Sequence, residues 1–145
     1  MNSPADWMIS LAQTESEIRA CYPVMAELRP QYSEGEYFEQ VLRQQRDGYF
    51  LVALRDEGEV RAVAGCRFLE NLAWGRFLYV DDLVTRAEGR SRGYGRRMVD
   101  WLIALARERG CAQFHLDSGV QRFGAHRFYL ANRFDITSYH FAMKL

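Results

Sequence analysis

A segment rich in glycine and arginine is the part of the sequence best suited to bind an anion. Glycine lets the backbone approach a ligand closely, and the first turn of a helix offers unpaired N–H groups with a partial positive charge. Apolar residues at helical spacing begin directly after the segment, at Met98. We therefore predict that its amides and guanidinium groups bind a pyrophosphate. The segment consists of Arg90, Ser91, Arg92, Gly93, Tyr94, Gly95, Arg96 and Arg97.

Two other phosphate motifs fit this segment less well. An NTPase P-loop needs Gly-Lys followed by Ser or Thr, whereas Arg96 and Arg97 follow Gly95 here. A dinucleotide fingerprint needs a third glycine at the position of Met98. The remaining alternative is a solvated, arginine-rich turn. A strand predicted before the segment and a helix predicted after it favour the anion site over that turn.

Two consecutive acids, Asp81 and Asp82, lie near the end of the strand predicted before this segment. Either carboxylate could accept a proton in the chemistry of the site, and the alternative for each is a solvent-facing acid or a cap partner for the loop. Successive strand residues point to opposite faces, so we expect only one of them to face a given cleft, and we expect no paired dyad. Asp82 shares the more apolar face of the strand with Val80 and Val84. The pattern therefore favours Asp81 for the cleft, with Asp82 as the alternative.

The cysteines and histidines have the spacing of neither a disulfide framework nor a metal site. There is no C-x-x-C pair, and intervals of eleven and fourteen residues between successive histidines match no compact ligand set. We expect inert, reduced thiols, histidines with surface or packing roles, and no metal. These residues are Cys21, Cys66, Cys111, His115, His126 and His140.

Charge and hydropathy argue against some classes of partner. Nineteen basic and nineteen acidic residues cancel in a chain of 145 residues, so no overall positive field attracts nucleic acid or an anionic membrane. No stretch approaches the roughly 18 apolar residues of a membrane span. Residues 1–11 lack the pattern of a signal peptide. We expect a single cytoplasmic domain over residues 1–145 that binds neither nucleic acid nor membrane.

The elements that position these residues are predicted from caps and periodicity. Thr14 with Glu17, and Ser33 with Glu36, have the capping-box spacing that begins a helix, and Pro23 would kink or restart the first of these two helices. Strands are predicted at residues 7–11, 49–55, 60–69, 76–85 and 114–116, with one or two closing strands in 134–145.

The order of these elements indicates an α/β fold class. Gly58 supplies the positive φ that a tight hairpin needs between the second and third strands. The helix that contains Met98 lies between two strands, which predicts a parallel crossover. Another helix is predicted over residues 122–132. We expect a central mixed β-sheet of about six to seven strands flanked by about four helices.

Two parts of the sequence match a family signature. Arg90, Gly93 and Gly95 satisfy Q/R-x-x-G-x-G/A, and the sequence resembles the GNAT superfamily of N-acetyltransferases. The family's later A-x-x-[LF]-Y…F segment is matched by Ala125, Phe128, Tyr129 and Phe134. The order of strands and helices agrees with that family over almost the whole chain.

The sequence also departs from the family pattern at two positions. The family often has Asn where Arg122 stands and Gly where Arg133 stands. Asn132 could adopt the left-handed conformation that ends a helix in place of that glycine.

This resemblance implies a GNAT-type fold with an acetyl-CoA site. The pyrophosphate would bind the amides of residues 92–97. The Val84 N–H would hold the thioester carbonyl oxygen. The pantetheine arm would pair along the strand edge formed by Leu83, Val84 and Thr85.

The resemblance further implies the reaction, which is transfer of the acetyl group from acetyl-CoA to a primary amine by direct attack in a ternary complex. Tyr129 would be the general acid to the CoA thiolate, and Asp81 or Asp82 would be a direct or water-mediated base. The acceptor stays open among small amines, amino-acid derivatives, aminoglycoside-like compounds and protein amino groups. A catalytically weak acyl-CoA-binding or sensor domain of the same fold is the alternative. The sequence leaves open whether the protein is a monomer or a homodimer.

An acidic and aromatic cluster is the candidate acceptor surface. Aromatic rings and carboxylates are combined there, which suits a cation, although two of the aromatic residues also fit core positions, namely Tyr37 and Phe38. The cluster consists of Tyr32, Glu34, Glu36, Tyr37, Phe38 and Glu39. The same glutamates also suit the first turn of a helix, where they complement its dipole. We favour this second interpretation.

Overall fold

The computed structural model describes residues 7–88 and 92–145. Within these ranges the chain forms five strands and five helices. In chain order they are β1 (Trp7–Ala12), α1 (Glu15–Ala20), α2 (Tyr22–Leu28), α3 (Glu34–Arg46), β2 (Phe50–Asp56), β3 (Glu59–Asn71), β4 (Gly75–Thr85), α4 (Tyr94–Glu108), β5 (Gln113–Leu116) and α5 (Phe123–Ala131).

The five strands form one sheet in the order β1-β2-β3-β4-β5. From β1 to β4, each strand pairs antiparallel with the next. The sheet as a whole is mixed, so the parallel pairing is the one between β4 and β5, which α4 connects. At the turn between β2 and β3, Glu57 and Gly58 have φ values of 54° and 79°. Two successive positive φ angles are typical of a tight hairpin, which confirms that prediction.

Helices α1 and α3 begin at the predicted capping boxes. The Thr14 side chain accepts a hydrogen bond from the Glu17 N–H, and the Glu17 carboxylate accepts one from the Thr14 N–H. The N-terminus of α3 has the equivalent reciprocal pair. The first predicted helix is divided at Cys21, because Pro23 lies in the first turn of α2 and has no N–H to continue the preceding helix. This division accounts for five helices where about four were predicted.

The core is built on both faces of the sheet. Leu51 and Ala53 of β2 belong to the hydrophobic cluster that α1, α2 and α3 cover. Their neighbours Val52 and Leu54 are 0% exposed and point to the other face, because side chains alternate along a strand. Helix α4 buries Met98 completely. The apolar face predicted for α4 is therefore confirmed at Met98 and at Leu102, which is also 0% exposed.

The predicted closing strands in residues 134–145 are wrong. Within residues 7–88 and 92–145 the sheet has five strands rather than six or seven, and no strand lies in 134–145. Tyr139, Phe141 and Met143 alternate with other residues as a strand would, but they are 85, 91 and 83% exposed. Alternation of apolar residues with other residues indicates only which side chains would share a face of a strand. A strand also needs a neighbouring strand to bond its N–H and C=O groups.

The end of α5 differs from the expectation for Asn132. Asn132 has φ −94°, outside the left-handed region, and Arg133 has φ 69°. Arg133 therefore adopts the left-handed conformation itself, at the position where a glycine is typical. The Asn132 side chain donates a hydrogen bond from Nδ2 to the Phe128 carbonyl oxygen over 2.8 Å.

The chain divides into two compact units. One ends at His115 and the other is Leu116–Leu145. The first unit contains the sheet through most of β5 and helices α1 to α4, and the second contains α5. That residues 1–145 form a single domain stays a prediction.

Candidate functional site

A β-bulge in β4 sets the geometry of the two aspartates. Gly65 on β3 pairs with Asp82, and the next residue, Cys66, pairs with Val80. Asp81 is the extra residue between them, without a partner in the register. A bulge disturbs the alternation of side chains along a strand. Asp81 and Asp82 consequently line the same cavity, and the expectation that they face opposite sides is wrong.

The Asp82 carboxylate is held by two donors from distant parts of the chain. Arg29, directly after α2, donates from Nε to Asp82 Oδ1 over 2.9 Å. Tyr49, directly before β2, donates from its hydroxyl to Asp82 Oδ2 over 2.8 Å. Burial, followed by the Asp82 charge, raises the pKa of Tyr49 well above its usual value, so the phenol keeps the proton that it donates. Asp82 is therefore a fixed carboxylate with both oxygens bonded.

Asp81 has a different environment. Arg67 on β3 donates from Nε to both Asp81 oxygens, over 2.9 and 3.2 Å. Burial raises the pKa of Asp81 above its ordinary value, and the hydrogen bond and charge of Arg67 oppose that shift. Its two oxygens share a single donor atom, whereas those of Asp82 have two separate donors. Of the two carboxylates, Asp81 has fewer donors, and its own raised pKa makes it a candidate proton acceptor in the cavity.

Gly65 makes this arrangement sterically feasible. A Cβ atom at this position would lie 1.9 Å from the Tyr49 hydroxyl oxygen, far inside van der Waals contact. Because position 65 has no side chain, the Tyr49 ring crosses β3 there and reaches Asp82 on β4. Glycine inside a strand often marks a bulge or a close approach, and here it marks both.

The cavity that these groups line has a volume of about 590 Å³. Its walls come from α2 and α3, from the segment between these two helices, from Tyr49 after α3, and from the middle of β3 and β4. Besides two aspartates and two arginines, the lining consists of tyrosine, glutamine and a few apolar side chains. Such a mostly preformed, polar hollow is suited to a small hydrophilic ligand.

The N-terminus of α4 is the second candidate binding surface. Gly93 is the N-cap residue, with φ 77°, and no side chain of the described residues caps the helix. There is no acidic residue in the first turn. The first intrahelical bond runs from the Arg97 N–H to the Gly93 carbonyl oxygen, so the N–H groups of the preceding turn have no partner within the helix. A phosphate group fits this end of the helix by charge and by hydrogen bonding.

The predicted pyrophosphate residues differ in what their side chains can do. Arg96 is exposed and lies 3.9 Å from Asp100, so its guanidinium group is available to an anion. The Arg97 guanidinium lies 4.7 Å from the centre of the Trp7 ring. Tyr94 is 2% exposed and donates to Asp56 Oδ2 over 2.6 Å, so only its backbone faces the helix end. Arg90 and Ser91 lie outside the described residues.

The strand edge predicted for pantetheine is at the end of β4. Leu83, Val84 and Thr85 pair on one side with β3, opposite Ala64, Val63 and Ala62. On the other side, the Ala112 N–H donates to the Arg76 carbonyl oxygen, which shows that β5 begins near the start of β4. β4 has eleven residues and β5 has four, so the later part of β4 extends past β5. This geometry is compatible with the predicted pairing.

Tyr129 lies on α5, in the second unit. Its ring contacts Phe128 and Phe134, with centroids 5.5 and 5.8 Å away. Burial raises the pKa of Tyr129, against the opposing charge of Arg122. The phenol is therefore protonated at neutral pH, as a general acid must be.

The buried cysteines are poor nucleophiles. Cys21 and Cys66 are both 0% exposed. Burial raises the pKa of Cys21 to about 12 and also raises that of Cys66, so both thiols stay protonated at neutral pH. Cys111 is half-buried.

The histidines lie in packing and turn contacts. His115 stacks on Trp74 with ring centroids 3.6 Å apart. His126 bonds the Gly119 carbonyl oxygen over 2.7 Å, and His140 lies 3.5 Å from Asp117. Among the described residues, no three His, Cys, Asp or Glu side chains are grouped as metal ligands.

The acidic cluster at the start of α3 does not line the cavity. Glu36 is engaged in the capping box of Ser33. Tyr37 and Phe38 are 4 and 8% exposed and belong to the core. Of the residues in this neighbourhood that suggested a cation site, Tyr32 and Tyr37 line the cavity, and none of the glutamates does. The first-turn interpretation of these glutamates is confirmed for Glu36.

Sequence reasoning missed the residues that hold the aspartates, namely Arg29, Tyr49 and Arg67. Their contacts join positions 14 to 53 residues apart in the chain, and local periodicity contains no signal for them. One signal was present. Gly65 interrupts a run of apolar strand residues, and an isolated glycine there indicates a bulge or a close backbone approach.

Comparisons with known proteins identify the family of this chain. Residues 11–133 match the acetyltransferase (GNAT) family. An uncharacterized N-acetyltransferase of Bacillus subtilis (strain 168), YhdJ, is 37% identical over 138 residues, which cover 92% of this chain and 97% of the relative. A probable glucosamine 6-phosphate N-acetyltransferase 2 of Oryza sativa subsp. japonica is 31% identical over 110 residues, which cover 72% of this chain and 56% of that protein.

Solved structures agree in fold. The aminoglycoside N-acetyltransferase AAC(6')-Iy in complex with CoA has a TM-score of 0.82 at 12% identity, with 100% of this chain and 98% of that chain covered. This chain belongs to the GNAT family of acetyltransferases and has its α/β fold. Its enzyme class is that of the N-acetyltransferases. Within the described ranges, no helix is long and apolar enough to cross a bilayer.

Proposed function

We propose that this protein transfers an acetyl group from acetyl-CoA to a primary amine held in the 590 Å³ cavity, by direct attack in a ternary complex. The observation that supports this most is the uncapped N-terminus of α4, with Gly93 in a left-handed conformation, in a chain of the GNAT family. Its first-turn amides, which have no partner within the helix, and the exposed Arg96 suit the pyrophosphate of CoA. The later part of β4, residues 83–85, offers a strand edge to pantetheine.

The proposed chemistry needs a neutral amine, a polarised carbonyl and a proton for the leaving thiolate. Asp81 accepts a proton from the amine directly or through water, with Asp82 as the alternative base. Its raised pKa and single donor atom support that choice. The Val84 N–H holds the carbonyl oxygen as negative charge develops on it. Tyr129 donates a proton to the sulfur, which completes the exchange of a C–S bond for a C–N bond.

The substrates of related proteins suggest which acceptors to assay first. The rice relative is named for activity on glucosamine 6-phosphate, and AAC(6')-Iy is an aminoglycoside N-acetyltransferase. We propose small hydrophilic amines of this size as the first compounds to assay, in a panel that also includes amino acids and a peptide with a free N-terminus. Release of free CoA thiol reports turnover with any of them.

Replacing Tyr129 with Phe tests the proposed general acid. We expect kcat to fall by about 10²- to 10⁴-fold, since that is the usual contribution of a positioned acid or base. Acetyl-CoA affinity should stay nearly unchanged, because the variant loses one hydroxyl and keeps the ring. Single-turnover kinetics and calorimetric titration with acetyl-CoA measure the two quantities.

The neighbouring aromatic ring provides a matched control for this variant. Phe128→Leu changes the same helix without removing a hydroxyl, so it should retain most of the turnover. Full activity of Tyr129→Phe would remove Tyr129 from the mechanism. If acetyl-CoA binds but no amine in the panel is acetylated, the protein is an acyl-CoA-binding or sensor domain.

A further inference from the structure

The charges that line the cavity cancel in pairs. Arg29 is paired with Asp82 and Arg67 with Asp81, each at 2.9 Å, and the other lining residues are neutral. The aspartate side chains are only 13 and 22% exposed, so they are not open acids at a protein surface. The hollow therefore offers no surplus negative charge to an incoming cation.

A polycationic acceptor does not match this balance. Each additional ammonium group would need a carboxylate that is not already bonded to an arginine. The acids at the start of α3 do not line the cavity, so they do not supply one. A ligand that brings one positive and one negative group leaves the balance unchanged.

Arg67 has the open hydrogen-bonding capacity that such a negative group needs. It bonds Asp81 through Nε, and its terminal Nη1 and Nη2 groups make no other hydrogen bond to the described residues. These two nitrogens form the fork that binds a carboxylate or phosphate through two parallel bonds. The guanidinium lies 5.4 Å from the centre of the Tyr49 ring, which helps to hold its plane in place.

Arg29 is the weaker candidate for the same role. It already uses Nε for Asp82 and Nη2 for the Asp81 carbonyl oxygen, over 2.9 and 3.2 Å. Its side chain is 43% exposed, against 23% for Arg67, so water screens it more strongly.

We propose that the acceptor is an amine that also bears an anionic oxyacid group, carboxylate or phosphate, and that Arg67 binds this group through its terminal nitrogens. The inference rests on the proposed function, because it names the substrate class of the same cavity. Gln40 and Gln44 of α3, joined by a 2.9 Å hydrogen bond, offer neutral polar contacts to the rest of such a molecule.

Matched acceptor pairs test this in the wild-type enzyme. O-Phosphoethanolamine is compared with ethanolamine, and L-methionine with L-methioninamide, with spermidine as a polycation. We expect kcat/KM to be at least about tenfold higher for the anionic member of one pair or both, since one charge-assisted bidentate contact has that magnitude. The two pairs distinguish phosphate from carboxylate. L-Methioninamide has the less basic amine, so a larger fraction of it is neutral and nucleophilic at a given pH. Amine reactivity alone would therefore favour L-methioninamide over L-methionine.

Arg67→Gln tests the assigned residue. We expect the ratio of kcat/KM between the members of a pair to fall toward one, while Arg43→Gln, which removes an exposed arginine of α3 outside the cavity, keeps the wild-type ratio. Disturbance of Asp81 as base is common to both members of a pair, and this shared effect cancels in the ratio.

The possible outcomes separate this inference from the proposed function. Equal or better use of ethanolamine and L-methioninamide, which lack the anionic group, or of spermidine, overturns the inference and leaves acetyl transfer intact. Persistence of the ratio in Arg67→Gln overturns the role of Arg67. Acetylation of no amine despite CoA binding overturns the proposed function and this inference with it. If Arg67→Gln does not fold, the wild-type pairs still decide the substrate class.

Discussion

At the scale of single residues, the candidate site depends on an absent side chain. Gly65 leaves room for the Tyr49 ring, and the Tyr49 hydroxyl bonds the Asp82 carboxylate. The same glycine pairs with Asp82 at the bulge that turns Asp81 toward the cavity. One small residue on β3 thus affects the positions of both acids on β4.

Gly65→Ala should therefore be costly. The new methyl group would lie 1.9 Å from the Tyr49 oxygen, so the ring must move and its bond to Asp82 breaks. We expect a loss of about 1–3 kcal/mol in the free energy of unfolding, the usual cost of overpacking a core. Urea denaturation measures it. Gly35→Ala is the control, since its Cβ would meet no atom within 4 Å and alanine suits a helix. A Gly65→Ala variant as stable as the control would contradict the steric account.

The assignment of Asp81 as base has a pH signature. A base acts as the carboxylate, so its contribution to the rate is lost as pH falls through its pKa. Burial raises the pKa of Asp81, so that loss begins at a higher pH than for an ordinary aspartate. We expect log kcat/KM to fall more steeply at acidic pH in the wild type than in Asp81→Asn, which should be slower by about 10²-fold or more. Protonation of the acceptor amine affects both profiles alike. Parallel profiles would exclude Asp81 and point to Asp82.

At the scale of elements, α4 differs from α1 and α3 in how it begins. The latter two have side-chain capping boxes with acids in the first turn, whereas α4 has a glycine N-cap and no acid there. An acid at that position would repel a phosphate, and a capping side chain would occupy its hydrogen bonds. The start of α4 is thus suited to an external anion.

Glycines at the two ends of α4 allow a controlled test. Gly93 and Gly110 have φ values of 77° and 75°, and a Cβ at either position would meet no atom within 4 Å. Alanine at either site should therefore destabilise the fold to a similar extent, about 1–2 kcal/mol, through backbone strain alone. We expect only Gly93→Ala to weaken acetyl-CoA binding, by about tenfold or more, because a shift there moves the amides proposed to hold the pyrophosphate. Calorimetric titration of both variants compares them. Equal affinities would place the pyrophosphate elsewhere.

At the scale of the whole molecule, net charge is zero and binding has to come from local features. The formal charge is +0 at pH 7, with nineteen residues of each sign. The proposed anion-binding groups are concentrated at the start of α4, and the paired charges lie at the bulge of β4. Ligand specificity therefore depends on where individual charged and hydrogen-bonding groups lie, and the overall charge contributes little to it.

Stability in the presence of ligands tests the site in the intact protein. Acetyl-CoA or CoA at about 100 times its Kd should raise the free energy of unfolding by about 2.7 kcal/mol, whereas ATP and NAD at the same concentration should raise it less. Thermal unfolding with each ligand measures this, and repeating it at two protein concentrations reports any homodimer. Stronger stabilisation by ATP or NAD would identify a nucleotide-binding module and contradict the acetyl-CoA site.

The sequence by itself was sufficient for features that depend on neighbouring residues. The capping pairs Thr14–Glu17 and Ser33–Glu36 join positions three apart, and the turn at Glu57 and Gly58 depends on local φ preferences. The start of α4 near Gly93 and Gly95 also depends on neighbouring residues, and the family motif that contains these two glycines is likewise a local pattern. Such signals are short-range, so the chain contains them before it folds.

The tertiary structure decided which residues meet. Asp82 bonds Tyr49 and Arg29, which are 33 and 53 residues away, and no periodicity relates such positions. The alternation rule placed Asp81 and Asp82 on opposite faces, and the bulge opposite Gly65 overrode it. The same rule predicted closing strands in residues 134–145, where no strand forms. Alternation describes one strand, whereas register and pairing depend on the neighbouring strand, and only the folded sheet supplies that neighbour.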